Sequence, residues 1–288
     1  MISALVKDYD IYYYELQDLV WRRTGEVASV AAIAAACKRC GFTSKVASTV
    51  SLHRNRDAMR EHAKLRSLFH VRQLLFVDEA HKAGRDLGRR YAKSRKGEKA
   101  WVPLSEHLGR AWTLLAAMDV TGLVAVKVQE LSCKAGSYLP RALNRALWLQ
   151  LFQERILPLL QPFDGRRLPR SVVVIDNASL HWGNDEDDED EALVFVNQLD
   201  ELIRSQVSIN PATGQRVHPI LCYTPPYCSR ANAIEAMFKC MNSYIKAHAH
   251  GISKTDPKQA IKNGLLSVSA DTAHTLVVQS CLDVESWL

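Results

Sequence analysis

The chain has 288 residues, 47% hydrophobic and 24% charged, a globular makeup with enough apolar material for one large domain and a small one. Its longest apolar run falls far short of a membrane span, and Met1 to Asp8 is too short and too charged for a secretory signal, which argues against a membrane or exported class. Seven irregularly spaced cysteines predict a reducing, intracellular setting, the nucleus in a eukaryotic cell. The formal charge of +6 hides an asymmetry: residues 185–191 are all acidic, and the rest of the chain carries 37 basic against 24 acidic side chains. That surplus predicts a polyanionic partner, nucleic acid before membrane.

In chain order, residues 10–23 have helical apolar spacing, Thr24-Gly25-Glu26 breaks the pattern, and Ser29 can cap a second helix running from Val30 to Cys40. Two short helices about a glycine-bearing break, the second ending Lys38-Arg39, suggest a helix-turn-helix-like DNA-binding region; a helical hairpin that only packs is the alternative. Cys37 and Cys40 form a lone CxxC with no second pair at zinc spacing, so they read as packing residues. From Lys45 through Arg54, Arg56 and Arg66 a basic connector and helix offer contacts to backbone phosphates.

The main domain is expected from residue 68, with 1–67 as the small helical region and 251–288 as a polar linker and closing helix. Leu74 to Val77 reads as a first strand ended by Asp78-Glu79, whose alternation turns the two acids to opposite faces. Arg89, Arg90, Lys93, Arg95 and Lys96 then crowd a segment that is either a solvated face or a grip on substrate backbone. A hairpin over 111–129 turns at Thr121-Gly122, with Asp119 as a turn residue; Tyr138 to Leu160 has helical spacing. Four β-branched residues, Val172 to Ile175, predict a strand buried on both faces with Asp176 at its carboxyl end. Residues 183–218 read as an insertion, opened by the acidic run as a solvated loop and followed by a short helix from Ala192 to Ser205. Pro219 to Thr224 is the next strand, and Glu235 opens an amphipathic helix striped with Ile234, Met237, Phe238, Met241 and Ile245.

Strand, hairpin, helix, strand, then strand and helix describe an α/β fold with a mixed sheet flanked by helices. Asp78, Asp176 and Glu235, two strand-end aspartates and a helix-start glutamate, form an all-oxygen constellation suited to two Mg2+ or Mn2+ ions, which support in-line phosphoryl transfer.

The segments Phe76-Val77-Asp78-Glu79, Asp176-Asn177-Ala178-Ser179-Leu180-His181 and Pro226-Tyr227-Cys228-Ser229-Arg230-Ala231-Asn232-Ala233-Ile234-Glu235 resemble mariner-like transposases and their bacterial insertion-sequence relatives. These are DDE superfamily endonucleases with a ribonuclease-H-like core. The resemblance covers roughly residues 40–288 and implies that Asp78, Asp176 and Glu235 are the catalytic, metal-binding triad. It also places Asn177 and His181 near the site, although His181 reads somewhat more readily as an ordinary core or surface histidine. A metal-dependent transposase acting on double-stranded DNA, at terminal repeats and target, as a homodimer, is what the resemblance implies. Three features depart from the family pattern. Cys228-Ser229 stands in place of a serine–proline pair and Ala233 in place of a proline; Asp176 and Glu235 are 59 positions apart; and about 70 residues precede the first strand, room for one helix-turn-helix unit where members carry two. A decayed or host-adopted transposase that binds DNA without cutting it is therefore the competing expectation.

Overall fold

The computed structural model describes residues 11–44, 51, 54–88, 91–101, 110–131, 145–176 and 186–288. The chain divides into two compact units, Met1–Leu52 and His53–Leu288. The smaller contains α1 (Tyr13–Thr24) and α2 (Val30–Arg39). Gly25 closes α1 in the left-handed region at φ 72°, and the Ser29 hydroxyl opens α2 by accepting the Ala32 N–H. Leu16, Ile33 and Cys37 form a small core of their own, while Cys40 is exposed.

The larger unit runs α3 (Arg56–Ser67), β1 (Leu74–Ala83), β2 (Ala111–Asp119), β3 (Gly122–Leu131), α4 (Arg145–Arg155), β4 (Val172–Ile175), α5 (Glu186–Arg204), the short ribbon β5 (Ser208–Ile209) and β6 (Arg216–Val217), β7 (Ile220–Tyr223), α6 (Ile234–Ala247), α7 (His250–Thr255), α8 (Pro257–Leu266) and α9 (Ala270–Glu285). Its five-stranded sheet has the order β3-β2-β1-β4-β7. The first three strands are antiparallel neighbours, whereas β4 and β7 run parallel to β1. At the hairpin tip Asp119 Oδ1 accepts the Thr121 N–H and hydroxyl at 2.7 and 2.6 Å, the turn role expected of it.

Alternation along the strands builds two cores. Leu74, Phe76, Leu114, Val172 and Val174 face one way, against Met237, Phe238 and Met241 of α6, Ile261 and Leu265 of α8, and Val277 of α9. Leu75, Val77, Leu115, Val173 and Ile175 face the other way, against Trp148 and Phe152 of α4 and Phe195, Leu199 and Ile203 of α5. No helix among the described residues is long and apolar enough to cross a membrane.

Three expectations change. The acidic run was expected as a solvated insertion loop, yet helix α5 already begins at Glu186. Phe195, Leu199 and Ile203, four residues apart, bury one face of that helix in the core. The stretch is thus a structural layer, with Phe195 edge-on to Trp148 at 5.4 Å between ring centroids. Residues 54–67, assigned to the N-terminal region, belong with the larger unit, because Ala63 packs with Ala231 and Val284. The stretch 251–288 is three helices, two of which cover the sheet, rather than a linker and one helix.

Helices α6 and α8 cross very closely. A Cβ on Gly264 would lie 2.8 Å from Met241 Cγ, 3.1 Å from the Met241 carbonyl oxygen and 3.2 Å from Ile245 Cγ1. Alanine in a helix interior ordinarily gains about 1 kcal/mol over glycine. Here the carbonyl cannot swing aside, so Gly264→Ala is expected to lower the unfolding free energy by about 1–2 kcal/mol. Chemical denaturation reads the difference; a gain of the ordinary alanine size would mean that the two helices stand further apart.

Candidate active site

The parallel strands set the site. Val77 is level with Ile175, and Ile175 with Tyr223, so the following residues, Asp78, Asp176 and Thr224, line up across three neighbouring strands. Asp78 does not end its strand as expected. Beyond Val77, β1 continues to Ala83 because β2 still pairs with it, Asp78 opposite Ala116, whereas β4 stops at Ile175. Asp78 is therefore buried mid-strand, and Asp176 stands half-buried just past a strand end. The Thr224 hydroxyl donates to Asp176 Oδ1 at 2.7 Å and fixes that carboxylate from the β7 side.

Glu235 comes from the first turn of α6. The chain reaches it through Tyr227 at φ 60°, whose carbonyl accepts Arg54 Nε at 2.9 Å, and a 3-10 turn over Ser229–Ala231. Asn232 then ties helix to sheet. Its buried amide donates Nδ2 to the Val77 carbonyl at 3.3 Å, one residue before Asp78, and its own carbonyl accepts the Glu235 N–H at 3.2 Å. Among the described residues, Asn232 Oδ1 is buried without a hydrogen-bond partner. Arg66 supports the same turn by donating to the Ala231 carbonyl at 3.4 Å while its guanidinium lies over the Phe76 ring, 5.2 Å from the centroid.

Electrostatics show that these acids share one neighbourhood. Burial holds the Asp78 carboxyl well above the usual carboxylate range, and Glu79, Glu235 and Asp176 push it further. Glu235 is raised by burial and by Asp176, against the pull of Lys239 and Lys82. Glu79 turns to the opposite sheet face, as alternation requires, and accepts the Trp148 indole N–H at 3.0 Å. Burial raises it to about 7 in spite of that bond, with Asp176 adding to the rise. Among the described residues no three acids, imidazoles or thiols converge tightly enough to enclose an ion. The donor set nevertheless fits a hard divalent cation: it is all carboxylate oxygen, and its mutual repulsion is what such a cation relieves.

The expected nucleic-acid contacts divide. Lys38 and Arg39 are exposed in the last turn of α2, and Arg56 in the first turn of α3. Arg54 has committed Nε to the Tyr227 carbonyl. Lys93, Arg95 and Lys96 are exposed on the stretch 91–101, where the Ser94 hydroxyl donates to the Glu98 carbonyl at 2.7 Å and Tyr91 and Trp101 stand 90% and 84% exposed. Lys45, Arg89, Arg90, Asn177 and His181 lie outside the described residues. Thr224, Asn232 and Trp148 were not singled out from the sequence. Thr224 ends a strand at the level of Asp176, and Asn232 stands one turn before Glu235, so register and spacing carry the signal for both.

The raised carboxyls predict a pH dependence for the metal-free protein. The Glu79 proton affinity rises on folding from an ordinary 4.5 to about 7, so its contribution is full below pH 4.5 and is lost as pH climbs through 7. Buried His62, lowered to about 4 by burial and Arg66, works in the opposite sense over part of that window, so the informative quantity is a difference. With chelator present, Glu79→Gln should gain on the parent as pH rises from 5 to 7, by at most ~1.4 kcal/mol per pH unit. The amide oxygen can still accept the Trp148 bond. Melting curves across that range test this, and a constant offset between the two proteins would contradict the environment assigned to Glu79.

The model of the DDE superfamily endonuclease family matches residues 73–256. No curated protein matches the sequence. Among solved structures, the Mos1 mariner paired end complex with Mn is similar at a TM-score of 0.59 and 12% identity, over 99% of this chain and 75% of that one. The Mos1 strand transfer complex gives 0.58 and 14%, and a pre-cleavage Mos1 transpososome 0.57 and 13%, with the same coverage. Identities this low show a shared fold, the ribonuclease-H-like sheet expected from the sequence. The family match spans most of the chain and includes Asp78, Asp176 and Glu235, so this chain belongs to the DDE superfamily of endonucleases.

Proposed function

We propose that the chain is a mariner-like transposase that cuts and joins DNA strands, with Asp78, Asp176 and Glu235 as its catalytic carboxylates. The observation that carries this reading is the alignment of Asp78 and Asp176 on neighbouring parallel strands, with Glu235 within electrostatic reach of both. Three acids from segments far apart in sequence share one electrostatic neighbourhood, where burial and mutual repulsion raise both Asp78 and Glu235. Such crowding is unfavourable for folding alone and useful for gripping divalent cations. The Mos1 complexes with Mn and with Mg, which share this fold, support the choice of ion.

Asp78, Asp176 and Glu235 would hold magnesium or manganese, and when bound such ions activate the attacking oxygen and stabilise the leaving one. The chain's own residues do the positioning. Thr224 keeps one Asp176 oxygen turned toward β7, leaving the other for the site. Asn232 couples the Asp78 backbone to the first turn of α6, so the two acids move as one. Partial burial of Glu235 and full burial of Asp78 limit water around the carboxylates, which strengthens their hold on a cation. Lys38, Arg39, Lys45, Arg54, Arg56, Arg89, Arg90, Lys93, Arg95 and Lys96 are the proposed contacts to duplex phosphates, and two identical chains the proposed working unit.

Asp176→Asn tests the assignment. The amide can keep the Thr224 bond but withdraws a charge. With magnesium or manganese and a duplex carrying the repeats that flank its own gene, strand cleavage should fall roughly 10²-fold or more, the scale of losing one preorganised charge-stabilising group. Duplex affinity should stay within a few-fold. Metal ions should raise the parent's melting temperature by mass action and the variant's by less, while metal-free variant should melt above metal-free parent. Cleavage at the parental rate by Asp176→Asn would refute the triad. A parent that binds duplex DNA and never cuts it would identify the non-cleaving, DNA-binding relative instead.

A further inference from the structure

The turn that delivers Glu235 has a gap in its backbone hydrogen bonding. The Cys228 and Ser229 carbonyls accept the N–H groups of Ala231 and Asn232 at 2.8 and 3.0 Å. Those of Asn232 and Ala233 accept the N–H groups of Glu235 and Ala236 at 3.2 and 3.1 Å. Between them, the Arg230 and Ala231 carbonyls take no backbone donor among the described residues. Ala231 is buried, so this stretch of backbone needs partners from elsewhere in the fold. Two side chains supply them. Arg66 of α3 donates to the Ala231 carbonyl at 3.4 Å, and the Ser280 hydroxyl of α9 donates to the Arg230 carbonyl at 2.9 Å, the shorter bond of the two.

Ser280 is an uncommon residue for its place. Ala273, Val277, Ser280 and Val284, spaced by four, three and four, form the buried stripe of α9. A hydroxyl in such a stripe costs about 1–3 kcal/mol unless it is bonded, and a helical serine or threonine ordinarily satisfies itself on the carbonyl one turn back. Thr275, exposed on the same helix, does so, donating to the Asp271 carbonyl at 2.9 Å. Ser280 instead reaches across to a turn 50 residues away in sequence. Its neighbour Cys281 accepts Arg66 Nη2 at 3.5 Å, so α9 also braces the guanidinium that holds the next carbonyl.

We propose that Ser280 is a positioning residue for the acid site, and that through it the C-terminal helix sets where Asn232 and Glu235 stand relative to Asp78. This rests on the DNA-cutting reading above and deepens it. Ser280 fixes the carbonyl two residues before Asn232, and Asn232 in turn spans from the Val77 carbonyl to the Glu235 N–H. Without the hydroxyl, the Arg230 carbonyl loses its only partner among the described residues, and the turn can tilt about Asn232. Glu235 then shifts while Asp78, paired to β2 within the sheet, stays in place. The role of Ser280 is the spacing of the carboxylates, not contact with a cation or with DNA. Spacing matters because a misplacement of about 1 Å can slow a reaction 10²-fold.

The test compares the parent with Ser280→Ala, which removes the hydroxyl and keeps the stripe. Manganese affinity of the full chain without DNA, read from the electron paramagnetic resonance signal of free Mn2+, should weaken about tenfold, the lower end of the loss when a group that orients metal ligands is removed. Strand cleavage at saturating manganese should fall by a similar factor. Affinity for a duplex carrying the repeats that flank its gene, measured with chelator, should be unchanged. Val277→Ala, one turn earlier on the same buried stripe, controls for stability alone. It opens a cavity and lowers the melting temperature, and it should leave manganese affinity at the parental value. Should Ser280→Ala not fold, Ser280→Cys, which keeps the shape with a weaker donor, carries the same test with a smaller loss. Parental manganese affinity in folded Ser280→Ala, or an equal loss in Val277→Ala, overturns the positioning role and leaves the DNA-cutting reading intact. A parent that binds no manganese and cuts no duplex overturns both.

Discussion

Carboxylates that repel one another do not gather unless something holds them, and that opposition governs the larger unit. Burial alone raises Asp78, and each acidic neighbour adds to the rise. The restraining forces are individually modest. They are one hydroxyl on Asp176, one amide between the Val77 carbonyl and α6, one indole on Glu79, and one guanidinium beneath the turn that leads to Asn232. Each is about the size of a single hydrogen bond, ~1 kcal/mol net or somewhat more where a charge takes part. Together they suffice because the elements they join are already fixed by packing.

That packing comes from both faces of the sheet. Strands β1 and β4 contribute alternate residues to two cores, so neither can shift register without turning buried side chains outward. The site sits where the pairing changes. β1 is clasped by β2 beyond Asp78, β4 has already ended, and α6 enters above the gap. An acid at mid-strand is thereby rigid, an acid just past a strand end is partly solvated, and an acid in the first turn of a helix is eased by the helix dipole. Three carboxylates of similar intrinsic chemistry thus acquire three different environments from topology alone.

Much of this was legible in the residues, and the failures have physical causes. Val172 to Ile175 could hardly be anything but a doubly buried strand, and the stripe from Ile234 to Ile245 put Glu235 at the start of a helix. The length of β1 was missed because His81, Lys82 and Glu79 are polar; their pairing is imposed by β2, a partner thirty or more residues away. Helix α5 was cut short because seven successive acids look like a solvated loop, whereas a hydrophobic anchor downstream at Phe195, Leu199 and Ile203 lets a helix start among them. Helices α8 and α9 read as peripheral because their buried residues are small or scattered, as with Gly264 and Ala273, and their fit depends on closeness that no periodicity reveals. The partners of the acids, Thr224 and Asn232, are set by register and turn geometry, which emerge only once the strands are paired.

The departures from the family motif take on a different meaning in this light. Ala233, standing where a proline is usual, adopts φ −60° and ψ −26°, within the range that a proline ring imposes. Asn232 before it is extended at φ −104° and ψ 103°, close to the conformation that a following proline would enforce. The backbone therefore keeps the motif's shape without the ring. Alanine here lets the unfolded chain roam more widely, a matter of stability, and leaves the direction of Glu235 unchanged. What holds that direction is Asn232, through its amide on Val77 and its carbonyl under the Glu235 N–H, with Ala231 pinned from below by Arg66. The motif is thus a clamp between strand β1 and helix α6 that a proline stiffens, and in this chain the clamp is present with the stiffener removed.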